Sequence, residues 1–341
     1  MTVLNVLYQS SAAFVTPTAI SMYSLCRNNA HLPEIHFHLI SDGIEGEDLR
    51  RLEGLVSQFG RKLTVIDGAK IIEMVSEAGV EPYHGSVTCF MKLFAADAIK
   101  VDSILYLDSD TIITGDLRPL TSFDLSCCPC AIAYEIDADS YRQHFGTHRR
   151  YFNTGVILFN LVYWREREIG LLLRRSLKQY AGKLLVGDRD LLERTIGEDI
   201  CPLPARFNVT TLMHFFGSEQ FLRKHGYRDS EAAYYPEDEL NEARQCPAVV
   251  HYLDVYTGMP WERLNTNPFT PLYCDYARQL KPWRPMRPLI RRGWLGCLKK
   301  AVVSLQYALP KNVRVLLILT VLNVGTRYQI WRHGLRGAGA N

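Results

Sequence analysis

Short apolar runs alternate with helix-like stretches along the first third of this chain, and that alternation admits few folds. Residues 3–8 form an apolar run that gives way to Gln9, Ser10 and Ser11, then to a helix-like stretch at 17–28. The unit recurs: residues 35–40 read as a strand, 45–59 as an amphipathic helix and 62–66 as the next strand. Strands separated by helices pair in parallel, which predicts an α/β domain whose ligands sit beyond the carboxyl ends of its strands.

Further along, residues 87–99 read as a helix and 103–107 as an apolar strand with Asp108-Ser109-Asp110 directly at its end. Residues 131–134 and 155–160 are further strand candidates, followed by a helix at 162–180 with a charged outer face. A mainly parallel sheet of six or more strands is expected.

A chain of 341 residues with 47% hydrophobic and 22% charged residues suits one large globular domain plus an appendage. The net charge of +3 is too small to imply nucleic-acid binding, but it is unevenly placed: residues 281–336 hold twelve Lys or Arg and no Asp or Glu. The composition shift places a boundary near Trp283, dividing a domain at 1–283 from a basic, helical appendage at 284–341. Within the appendage an apolar stretch of twelve residues, 313–324, falls short of the roughly 20 needed to span a bilayer. With Arg314 inside it and Arg327 and Arg332 beyond it, it suits a helix at an anionic membrane surface, or one docked on the main domain.

The nine cysteines are odd in number and follow no regular framework, which fits a reducing compartment. Cys127, Cys128 and Cys130 are crowded, yet no second Cys/His pair stands at zinc-finger spacing, so they read as structural. The amino terminus lacks the charged start and long apolar run of a secretory signal, and a cytoplasmic location is expected.

Asp108 and Asp110, two carboxylates at i and i+2 just past a buried strand, are placed to hold a hard divalent cation against phosphate oxygens. Mg²⁺ or Mn²⁺ there would stabilise a departing diphosphate as a Lewis acid. A D-x-D pair is weak evidence alone, because aspartates are common in solvated turns.

Four segments together are far more specific: ILYLDSDTIITGDL, YFNTGVILFNLVYW, GDRDLL and HYLDVYTGMPW. Their order and spacing resemble glycosyltransferase family 8, and the resemblance covers roughly residues 3 to 283. It implies a GT-A (Rossmann-like) fold and a retaining hexosyltransferase that uses UDP-glucose or UDP-galactose with Mn²⁺ (or Mg²⁺). The basic tail suggests that the acceptor, a surface glycan or glycolipid, is lipid-linked and met at the inner face of the cell membrane, in keeping with lipopolysaccharide, capsule or exopolysaccharide assembly.

Position by position, the resemblance makes Asp108, Asp110 and His251 the metal ligands. Asn153, Asp188 and Arg189 fall at its catalytic positions, with Asp188 resembling the acid that holds sugar hydroxyls. Tyr8, Gln9, Ser10, Lys92, Ser109, Glu135 and Gly258 join the aspartate pair as donor-binding residues. For His251 the alternative is a hydrogen-bonded structural histidine, and for Glu135 a surface salt bridge.

Several positions depart from the family pattern. The usual acidic residue is missing from the loop at Ser10, Arg189 replaces a glutamine, and Met259 replaces a lysine whose charge Arg263 could supply. Since Arg189 cannot be a nucleophile and no carboxylate announces itself as one, retention is expected to come from same-face attack, with the leaving diphosphate accepting the acceptor's proton. Two rivals remain. A sugar nucleotidyltransferase would want a glycine-rich loop after the first strand, which LYQSSAAFVT lacks. The departures also leave room for a non-catalytic glycan-binding or scaffold descendant.

Overall fold

The computed structural model describes residues 3–80, 86–94, 98–135, 151–184, 186–215, 234–253, 257–262, 265, 267–280 and 283. The basic appendage at 284–341 and Arg263 lie outside the described residues. Among the described residues no helix is long and apolar enough to cross a membrane.

The strands are β1 (Leu4–Ser11), β2 (Ile35–Asp42), β3 (Lys62–Asp67), β4 (Ser103–Leu107), β5 (Thr111–Ile113), β6 (Cys130–Tyr134), β7 (Phe152–Asn160), β8 (Cys201–Pro202), β9 (Val209–Thr210) and β10 (Val249–His251). Among the described residues seven form one sheet in the order β3-β2-β1-β4-β7-β6-β8. Its pairings are parallel except those of β7, which runs antiparallel to both β4 and β6. The core strands are apolar because both faces are covered: Val6, Leu105, Tyr106, Ile132 and Ile157 are fully buried. The mixed, mainly parallel GT-A-type sheet expected from the sequence is thus present.

The helices Val15–Asn28 and Gly46–Gln58 connect β1 to β2 and β2 to β3. The helix Ala69–Glu77, which periodicity did not announce, follows β3. The stretch expected as a helix at 87–99 opens as a 3₁₀ turn at Thr88–Phe90 running into the helix Met91–Phe94, and residues 95–97 lie outside the described residues.

The helix expected over 162–180 is two helices, Leu161–Glu166 and Ile169–Tyr180, broken at Glu168 with φ 51°. The first buries Leu161 and Trp164, the second Ile169, Leu173 and Leu177. Trp164 and Ile169 are five residues apart, about 140° around a continuous helix, so the two apolar stripes could not face one core without a break.

A second sheet of three strands, β5-β10-β9, stands at the end of β4. It aligns His251 with Thr111 in antiparallel register and with Thr210 in parallel register. Cys128 and Cys201 form a disulfide at the β6–β8 edge, with the Cys127 thiol within 4.8 Å. The cysteine spacing did not announce this pair. The pairing could not be read there because its partners are 73 residues apart.

Candidate functional site

The site grows from the carboxyl end of β4. Asp108 N donates to Gly155 O at 2.8 Å, which extends the β4–β7 pairing by one residue. The chain then turns through Ser109, whose hydroxyl donates to Gln9 O at 3.1 Å. Asp110 O in turn accepts from Tyr252 N at 2.9 Å, so the chain leaving the end of β10 is tied to the acidic turn.

This register brings a histidine from 141 residues downstream of Asp110 against the pair. His251 Nε2 lies 3.4 Å from Asp110 Oδ1 and 3.8 Å from Asp108 Oδ2. One ligand atom from each of the three residues lies within 4.8 Å of the others. The carboxylates are partly exposed and the imidazole is buried. Two carboxylates with one imidazole suit a divalent ion such as Mn²⁺ better than a soft metal, and the open acidic side leaves room for ligand oxygens. The residues therefore fit the cation that the sequence implies.

Burial disfavours charge on His251, but the carboxylates of Asp110, Asp108 and Glu135 outweigh it and hold the ring's pKa above the ordinary histidine value. The glycine of YFNTGV makes room for the ring: a Cβ on Gly155 would lie 2.6 Å from His251 Nδ1. No side chain larger than hydrogen is compatible with this packing.

Lys92 is buried and bridges two carboxylates, with Nζ 2.8 Å from Asp188 Oδ2 and 3.8 Å from Asp108 Oδ1. Burial disfavours its charge, yet Asp188 and Asp108 outweigh that and raise its pKa. Tyr106, under the Lys92 ammonium, donates its phenolic hydrogen to Asp108 Oδ1. Asp188 opens the helix Asp188–Ile196, where a negative charge is favoured by the exposed backbone N–H groups. Its neighbour Asp190 accepts from Tyr151 OH and Val186 N, a structural task.

Arg189 turns toward the site: its Nη1 is 2.7 Å from Glu135 Oε2. Glu135 is buried and holds an internal ion pair, where a surface salt bridge was the alternative. The same carboxylate oxygen accepts from Asn153 Nδ2 at 2.9 Å. Asn208, which no motif singled out, joins Asn153 to His251 Nδ1. The only trace of it in the sequence is a polar residue entering the short apolar step Val209–Thr210, too little to find it by.

The β1 end is different. Tyr8 is wholly buried with its hydroxyl on Ser21 at 2.9 Å. Gln9 accepts from Lys92 N at 2.9 Å and donates to Cys89 O at 3.4 Å. Ser10 is buried and bonded to Thr18, and Thr18 also meets Ser109. The side chains of Tyr8, Gln9 and Ser10 are thus engaged in the fold at the position where the donor loop is expected. Gly258 has φ +73°, a turn residue whose neighbour Met259 bonds through its N–H to Glu262.

Compared with known proteins, the chain matches glycosyl transferase family 8 over residues 5–265. Relatives include general stress protein A of Bacillus subtilis (strain 168), 23% identical over 269 residues that cover 76% of this chain and 87% of that protein. Another is lipopolysaccharide 1,2-glucosyltransferase of Escherichia coli, 26% identical over 294 residues and covering 82% and 79%. Streptococcal relatives are longer, and the chain spans 24% to 62% of their length. Among solved structures, galactosyltransferase LgtC in complex with donor and acceptor sugar analogs aligns with a TM-score of 0.66 at 20% identity, covering 82% of this chain and 98% of that one, which shows a shared fold. The family match runs through most of the described residues and contains Asp108, Asp110 and His251, so this chain belongs to glycosyl transferase family 8 and is a glycosyltransferase.

Proposed function

We propose that the protein is a retaining hexosyltransferase that moves glucose or galactose from a UDP-sugar to a surface-glycan acceptor of lipopolysaccharide, capsule or exopolysaccharide type. The observation that carries this reading is the convergence of Asp108, Asp110 and His251 from two separate sheets. The names of the E. coli glucosyltransferase and of LgtC support the hexose and the glycan acceptor.

Asp108, Asp110 and His251 would hold Mn²⁺ or Mg²⁺. Such an ion supplies Lewis-acid stabilisation of charge on the diphosphate. Lys92 keeps an ammonium beside Asp108 and fixes Asp188 Oδ2, which orients that carboxylate for sugar hydroxyls. Glu135 is held by Arg189 and Asn153, an arrangement that neutralises the carboxylate and disfavours it as a nucleophile. Retention then follows from attack on the face the nucleotide leaves, the β-phosphate oxygen taking the acceptor's proton. Trapping a glycosyl-enzyme adduct would overturn this route.

The domain at 1–283 carries the chemistry in this reading, and the basic segment at 284–341 holds it to an anionic membrane surface on the cytoplasmic side. Support for the second point is the twelve Lys or Arg without an acidic residue at 281–336. The full chain should co-sediment with anionic vesicles and not with zwitterionic ones; equal behaviour in both contradicts it.

Release of UDP from UDP-glucose and UDP-galactose, with Mn²⁺ or with chelator, tests the activity. Metal-dependent release from one donor, lost in Asp110→Asn, is the expected result. Absence of both turnover and metal-dependent donor binding would favour the non-catalytic reading.

A further inference from the structure

We infer that Asn208 and Asn153 are positioning residues that set the tautomer and aim of His251, so that Nε2 is the ring nitrogen offered to the cation. The inference rests on the metal site proposed above and deepens it.

The argument starts from a group whose polarity cannot be reversed. Gly155 N–H can only donate, and it donates to Asn153 Oδ1 at 3.1 Å. Asn153 must then turn its Nδ2 the other way, where it meets Glu135 Oε2 at 2.9 Å. Both ends of that amide are assigned by their partners.

Asn208 is assigned in its turn. Its Nδ2 lies 3.1 Å from Asn153 Oδ1 and 3.4 Å from the Asn153 carbonyl, both acceptors. The flipped amide would set acceptor against acceptor at both contacts. Asn208 Oδ1 therefore faces His251 Nδ1, at 3.0 Å. An amide oxygen only accepts, so Nδ1 carries a hydrogen and the neutral ring has its lone pair on Nε2. That nitrogen is the one between Asp108 and Asp110.

Glu135, Asn153, Asn208 and His251 are at most 6% exposed, so an unpaired group among them would be costly. Partners behind a metal-bound histidine orient the ring and raise its basicity. Asn153 thereby has a positioning task beside the catalytic position that the resemblance gives it: its amide bonds to Gly155, Glu135 and Asn208. Arg189, on Glu135, ties the far end of this chain of bonds to the helix that carries Asp188.

The test is titration of the full chain with Mn²⁺ in the absence of donor, read as loss of the free-ion resonance signal, for wild type and Asn208→Leu. Leucine keeps the branched outline and removes all three side-chain hydrogen bonds. Affinity about ten- to a hundredfold weaker in a variant that still unfolds cooperatively is the expected result, and a change of less than twofold overturns the inference. A merely structural role would lower the unfolding temperature without moving the affinity of the folded protein. Should Asn208→Leu fail to fold, ¹⁵N-histidine spectra of metal-free wild type at a pH where His251 is neutral decide the matter, with His251→Gln assigning the signal. The Nδ1–H tautomer supports the inference and the Nε2–H tautomer overturns it. Wild type that binds no Mn²⁺ would instead remove the metal site itself, a failure these spectra distinguish.

Discussion

The two sheets of this protein solve different problems. In the large sheet, β3, β2, β1 and β4 run five to eight residues each, and a helix follows each of β1, β2 and β3. The small sheet takes two or three residues from each of three places far apart in sequence, 111–113, 209–210 and 249–251. The first is a scaffold stabilised by its own apolar faces. The second is a clasp whose consequence is to deliver His251 to Asp108 and Asp110. Damage to the scaffold should appear as lost stability, and damage to the clasp as lost metal affinity.

The largest effect is expected where the two meet. Lys92→Met leaves Asp188 buried without its partner, which should cost about 3–5 kcal/mol of stability in denaturant unfolding. A loss below about 1 kcal/mol would mean that the pair is solvated and the division too sharp. Within the scaffold, Leu105→Ala removes a fully buried side chain from β4 and should cost about 2–5 kcal/mol. Mn²⁺ affinity of the folded protein should stay unchanged, and a parallel loss would break the comparison.

Gly155→Ala acts on the clasp from the scaffold side. Its Cβ would displace the His251 ring, so Mn²⁺ affinity should fall by at least about tenfold, the low end of what misplaced metal ligands lose. Retained affinity would show that the ring can move aside without consequence.

The smallest effect is one of pH. Because the pKa of His251 is raised in the folded state, its protonated form adds stability that is fully present below the unfolded value, about 6.5. That contribution is lost as pH rises through the folded value. Metal-free wild type should therefore lose stability relative to His251→Gln on going to alkaline pH, and saturating Mn²⁺, which takes the proton's place, should remove that loss. Parallel metal-free profiles for the two proteins would contradict the assignment.

The same contrast explains what the sequence could tell. Strands β1 to β4 were legible because each is a local apolar run bounded by turn residues, and Asp108 and Asp110 because they follow one of them. His251, Asn153 and Asp188 were reached through a family resemblance, not through periodicity. Strands of two or three residues have no period to detect, so the clasp left no local signal, and Asn208 within it left none either. At the β1 end, Tyr8, Gln9 and Ser10 stand where a donor loop is expected, and their side chains bond to Ser21, Cys89, Lys92 and Thr18, partners that no local pattern announces. Position along a strand is visible in sequence, whereas the partners that occupy a side chain are set by elements packed from elsewhere. The break at Glu168 was missed for a related reason, since two apolar stripes five residues out of step look continuous until both must face one core.

The central claim is that the clasp completes a single cation site with His251 Nε2. Crystals grown with Mn²⁺ and UDP, measured at the manganese absorption edge, test it most directly. The expected result is an anomalous peak bounded by Asp108, Asp110 and His251 Nε2, with His251 Nδ1 still on Asn208. No peak there, or one that His251 does not reach, would contradict the account.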